Sequence, residues 1–151
     1  MRFRERLTPG PGTLLAVLLL LPAMYIVALP LSRVVAIDLT IAVVVTAVAE
    51  ALVILGSPVL SVADGVLTAG HARIPVALTG ETEAFRGRGA TAARGTDLDA
   101  RAFTLFRGWV DPVVRVHLTD PDDPAPYWLL STRRPEELRA ALAAEHAAPS
   151  V

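Results

Sequence analysis

Residues 13–31 read TLLAVLLLLPAMYIVALPL and residues 34–56 read VVAIDLTIAVVVTAVAEALVILG. How these two runs are read decides the fold. No charged residue lies between Leu7 and Ser32, and the second run is interrupted only by Asp38 and Glu50. At 1.5 Å of rise per residue, the first run suffices to cross a hydrocarbon layer about 30 Å thick. The link at Pro30, Leu31, Ser32 and Arg33 is so short that it forces the two helices to be antiparallel neighbours. The expectation is a transmembrane helical hairpin over residues 13–56, preceded by a cytoplasmic N-terminus at 1–12.

Two other readings fit the runs less well. A cleaved signal has a basic start and an apolar core of about 7–15 residues, closed by small residues at the cleavage site. Here the core is longer, and the nearest Ala-x-Ala, Ala47-Val48-Ala49, lies inside the second run. A buried soluble helix pair needs polar outer faces, which the first run lacks. Arg2, Arg4 and Arg6 precede the first run, while only Arg33 lies in the link. The positive-inside bias then puts both termini in the cytoplasm, giving a multi-pass protein of the plasma membrane. Pro22 removes a backbone donor and kinks the first helix, and Tyr25 reads as packing against lipid, with donation to a freed carbonyl or to the partner helix as the alternative. Asp38 and Glu50 are the intramembrane polar candidates, and acids at such depth suggest function by default. Each lies about a turn from an end of the second run, which favours side chains reaching towards headgroups. Twelve residues apart, roughly 18 Å along a helix, they make no catalytic pair.

Outward from these runs, the chain's 151 residues are 53% hydrophobic and 19% charged, with a net charge of -1 and mean hydropathy +0.51. Average soluble domains hold more charge and less apolar residue. The absence of cysteine excludes disulfides, thiolate metal sites and cysteine nucleophiles. The near-neutral charge excludes a nucleic-acid footprint. Every basic residue is arginine, and Lys, Asn and Gln are absent, a composition that reflects codon bias.

From residue 57 onward, short segments of period two take over. Strands are predicted at 59–63 and 66–69 around the Asp64-Gly65 turn, then at 73–78, 79–85, 102–106, 114–119 and 127–131. Residues 86–101 read as a polar loop with room for a short helix, and residues 120–124 (DPDDP) as a turn. Pro135 opens a last helix with Glu136 and Glu137 in its first turn and Leu138, Ala141 and Leu142 on its buried stripe. Residues 148–151 form a tail. About seven antiparallel strands and a C-terminal helix over residues 57–147 predict an α+β membrane protein. Its hairpin is followed by a pleckstrin-homology-like sheet or barrel plugged by the helix.

The start Arg2-Phe3-Arg4-Glu5-Arg6-Leu7, the two apolar runs and residues 120–135 (DPDDPAPYWLLSTRRP) resemble the actinobacterial "domain of unknown function 3093" membrane proteins. The resemblance covers nearly the whole chain, and residues 120–135 are its most specific part. It implies a two-span membrane protein with a PH-like domain, and it carries over no catalytic residue. One departure is Thr8-Pro9-Gly10-Pro11-Gly12, where the family has a Trp-rich approach to the first span.

The remaining chemistry is sparse. His71, His117 and His146 share no metal-binding spacing. The DPDDP turn lacks the glycine and distant glutamate of a calcium loop. Gly87, Gly89 and Gly95 match no phosphate-binding register, and Ser57, Ser61 and Ser131 sit in no nucleophile elbow. Trp109 and Trp128 read as buried area rather than a binding patch. Arg86, Arg88, Arg133 and Arg134 are the candidate lipid- or partner-contact residues. The negative balance of the whole region argues against headgroup recognition. The expectation is a non-enzymatic membrane scaffold or adaptor, without cofactor, metal, nucleic acid or specific small molecule. Its partners are the bilayer and a protein or a second copy of itself. The alternative is a transporter or enzyme subunit working through Glu50.

Overall fold

The computed structural model describes residues 3–29 and 35–147, and the chain divides into two compact units, Thr8–Ser57 and the remainder. Arg2, the link at Pro30–Arg33 and the tail at 148–151, which entered the sequence reading, lie outside the described residues.

The helical unit begins with α1 (Pro11–Leu18) and α2 (Leu20–Ala28), followed by α3 (Val35–Leu55), against which both pack. The first apolar run is thus not one helix. Pro22 has no N–H for the Leu18 carbonyl, so the ladder is interrupted at Leu19, whose backbone stays right-handed helical (φ -65°, ψ -13°) and still donates to the Leu15 carbonyl. Taken together, Pro11–Val27 is about 25 Å long, short of a full crossing, whereas the 21 residues of α3 span about 31 Å. Only α3, among the described residues, is long and apolar enough to cross a bilayer. This corrects the expected two-span, multi-pass topology in the plasma membrane.

The second unit holds two four-stranded sheets. The first has the order β1 (Phe3–Arg6), β2 (Val59–Ala63), β3 (Val66–Ala69), β4 (Ala72–Pro75), all antiparallel. Asp64 and Gly65 have φ of 53° and 71°, the left-handed pair that a two-residue hairpin needs between β2 and β3. Strand β1 was not foreseen. It comes from ahead of the helical unit and pairs Glu5 with Leu60 and Arg6 with Val59.

After Pro75 a 3-10 turn at Val76–Leu78 replaces the end of the strand predicted at 73–78 and carries the chain to the second sheet. That sheet comprises β5 (Thr79–Phe85), β6 (Phe103–Leu105), β7 (Val113–Leu118) and β8 (Tyr127–Ser131), in the order β5-β7-β8-β6. Between β5 and β6 runs α4 (Gly87–Arg94), and α5 (Pro135–Ala147) ends the described chain. The main core draws Leu60, Val62, Leu67 and Ile74 from one sheet, Val114, Val116, Trp128 and Leu130 from the other, and Leu138 and Leu142 from α5. On the other face of the second sheet, Ala90 and Ala93 of α4 cover Val113, Tyr127 and Leu129. Strand β8 is therefore buried on both faces, which explains its unbroken apolar run.

Neither sheet closes, so the predicted PH-like barrel is overturned. The physical reason lies in the pairings: β6 joins β8 in parallel and ends the second sheet, β1 ends the first, and among the described residues no strand of one sheet pairs with a strand of the other.

Candidate functional site

The polar groups of the second unit converge where β1 meets the β8–α5 junction. Strand alternation turns Phe3, Glu5 and Leu7 inward and Arg4 and Arg6 outward. Glu5, only 6% exposed, is satisfied there: Thr132 Oγ1 donates to one carboxylate oxygen and the Arg133 backbone N–H donates to the other at 3.1 Å. The Arg133 guanidinium lies 3.8 Å from the same carboxylate. Thr132 Oγ1 also accepts the Arg134 N–H at 3.1 Å. The Arg134 guanidinium donates to the Arg4 carbonyl at 2.7 Å, pairs with Glu137 at 3.0 Å and lies 5.0 Å over the Phe3 ring. Of this cluster only Arg133 and Arg134 were expected from the sequence; Glu5 and Thr132 were missed, because the dense charge of residues 2–6 conceals their alternation.

The candidate arginines share one end of the second sheet. Phe85 pairs with Val113 and Val113 with Ser131, so residues 86 and 132 lie just beyond one edge row. Arg86 and Arg88 are exposed, and the guanidinium groups of Arg133 and Arg134 are both partly exposed. Asp111 at this end accepts the Gly87 N–H at 2.8 Å and pairs with Arg94 at 3.3 Å. Trp109 is half-buried here and donates from Nε1 to the Leu7 carbonyl at 3.2 Å, whereas Trp128 is buried against Phe103.

The other sequence candidates do not come together. His71 is exposed at a turn, His117 lies 3.6 Å from Glu83 and edge-on to Tyr127, and both ring nitrogens of His146 face carbonyls, those of Leu142 and Thr79. The Tyr127 hydroxyl accepts the Asp99 N–H at 2.7 Å. The Arg101 guanidinium, 3.1 Å from Asp99 Oδ2, with the Arg101 backbone N–H as a second donor, holds the Asp99 carboxyl below the usual carboxylate range. An open cleft between β5 and the end of α5 is lined by Thr79, Glu81, Leu142 and His146. Among the described residues no three His, Asp or Glu side chains are grouped to hold a metal.

In the helical unit, Asp38, Ala42 and Thr46 form the buried stripe of α3, and Glu50, half-buried, continues it. Asp38 does not reach outward as expected: it is 2% exposed, and its Oδ1 has no hydrogen-bond partner among the described residues. The Thr46 hydroxyl is likewise buried with no partner among the described residues.

Set against known proteins, the chain matches no curated protein and no solved structure. A family model described as "Protein of unknown function (DUF3093)" matches residues 2–142 and so takes in both β1 and the β8–α5 junction. The chain belongs to the DUF3093 family.

Proposed function

We propose that the helical unit lies in a lipid bilayer and that the protein acts as a scaffold or adaptor, presenting its α+β unit at the bilayer surface. The observation that carries this reading is the exterior of the helices. Leu15, Leu19, Ile26, Val35, Leu52 and Leu55 are all more than half exposed, on helices with no polar outer face. Helices apolar all round need lipid or a large protein around them. The pairing of β1 with β2 supports attachment at one surface. The Leu7 N–H donates to the Pro58 carbonyl at 3.0 Å, so the chain leaves the α+β unit and returns to it at one place.

A binding rather than a catalytic role draws support from how the buried polar groups are used. Glu5, Thr132 and Tyr127 all spend their bonds joining elements of the fold. Flotation with lipid vesicles, followed by alkaline carbonate and high-salt washes, tests the embedding. The expected result is full-length protein retained until detergent is added. A compact monomer recovered from water without detergent would overturn the reading.

A second reading rests on Asp38. A buried carboxyl group with one oxygen unpartnered among the described residues, in the first turn of the longest apolar helix, suits a subunit of a larger membrane assembly that supplies a partner for it. It shifts the weight of the transporter alternative from Glu50 to Asp38. Detergent-resistant higher assemblies that Asp38→Asn dissolves would support it.

A further inference from the structure

We infer that the end of the α+β unit from which the chain departs for the helices is a docking face for anionic phospholipid headgroups. This rests on the proposed embedding of the helices and adds to it which face meets the lipid. Three observations carry it. The edge row Phe85–Val113–Ser131 brings Arg86 and Arg88 to the same end as Arg133, although these groups are far apart in sequence. Both departure points lie at this end too: Leu7 accepts from Trp109 Nε1 and donates its N–H to Pro58. The acids here are engaged: Glu5 by Thr132 and Arg133, Asp111 by Arg94 and the Gly87 N–H, and Glu137 and Glu136 in the first turn of α5 by Arg134 and Arg139.

The opposite end carries the reverse charge. The hairpin at Asp64-Gly65 receives Glu145 through the Gly65 N–H, and Gly65 accepts from Val76. The same 3-10 turn reaches the β7–β8 connection through Leu78, whose carbonyl accepts the Thr119 N–H, next to Asp120, Asp122 and Asp123. The negative balance of the unit therefore hides a segregation of charge along it. An anionic surface attracts one end and repels the other, which orients the unit. Each arginine held at such a surface is worth about fivefold in binding.

The chain lacks cysteine, so single labels can be placed in the full-length protein. A side chain at Gly108 meets nothing within 4 Å, which makes Gly108→Cys a benign site at the basic end. Asp122→Cys serves the acidic end. Spin labels at each are compared in phosphatidylcholine vesicles with and without phosphatidylglycerol, using a water-soluble relaxation agent. Phosphatidylglycerol is expected to lower the accessibility of the 108 label several-fold and to leave the 122 label unchanged. Salt at 1 M, where the screening length is about 3 Å, should abolish the difference. So should the combined Arg86→Gln, Arg88→Gln, Arg133→Gln variant, while flotation persists. Equal accessibility of the 108 label in both lipids, or a phosphatidylglycerol response that survives in the variant, would overturn the inference and leave this face for an acidic protein. Failure of the parent protein to float would overturn the embedding itself, and this inference with it.

Discussion

Glu5 and Thr132, 127 residues apart, share a buried hydrogen bond that ties the first strand to the mouth of the last helix. The bond closes the α+β unit around the point where the helical unit is inserted. Residues that come before the helices and residues that come after them thus form one core, with Phe3 packed alongside Leu60 and Leu142.

Removing that tie should cost more than an ordinary surface change. Glu5→Ala deletes the acceptor for Thr132 Oγ1 and the Arg133 N–H, and bonds to a charged acceptor are worth about 1.5–3 kcal/mol. Thermal unfolding of the detergent-solubilised protein, followed by near-ultraviolet dichroism of Trp109 and Trp128, should show a drop of that size. Glu5→Gln should lose less.

The Asp64-Gly65 hairpin makes a backbone prediction. Gly65 holds φ at 71° with open space where a Cβ would sit, so the penalty of a side chain is conformational. Gly65→Ala should destabilise the unit by about 1 kcal/mol, read by the same unfolding experiment.

Pro22 is responsible for the break between α1 and α2. Pro22→Ala gives the Leu18 carbonyl its missing donor, and the two short helices should become continuous across Leu19. Backbone carbon shifts through residues 17–23 and slow exchange of the new amide check this. A break that persists would assign it to packing against α3.

Asp38 should behave as a cost to the isolated protein. Replacing a buried carboxyl whose Oδ1 has no partner with Leu should raise stability in detergent by about 1–3 kcal/mol. A loss of stability instead would mean that Asp38 contacts something in the solubilised protein, as the assembly reading requires.

Much of the α+β unit was legible from local chemistry. The Asp64-Gly65 turn, the alternation that buries Val114 and Val116, and Pro135 at the head of α5 each announce themselves within a few residues. What failed were features set by distant pairings. Nothing in residues 3–6 says that they join Val59–Ala63 across residues 7–58, nor that β6 lies parallel to β8, and these pairings keep the sheets from closing. Likewise, the proline was legible at Pro22, but that the helical stretch it interrupts runs only over Pro11–Val27, shorter than α3, was not. Of the candidate residues, the arginines were legible as groups. Their shared end of the sheet was not, because it depends on the row through Val113. The inward turn of Asp38 depends on which face of α3 meets α2, which an evenly apolar helix does not declare.

The central claim is that lipid surrounds the helical unit, and a spin label at Leu52→Cys, a position 66% exposed on α3, tests it most directly. In full-length protein reconstituted into vesicles, the label should be open to oxygen and closed to a water-soluble nickel chelate. A label that the chelate reaches as freely as it reaches one at Asp122→Cys would contradict the account.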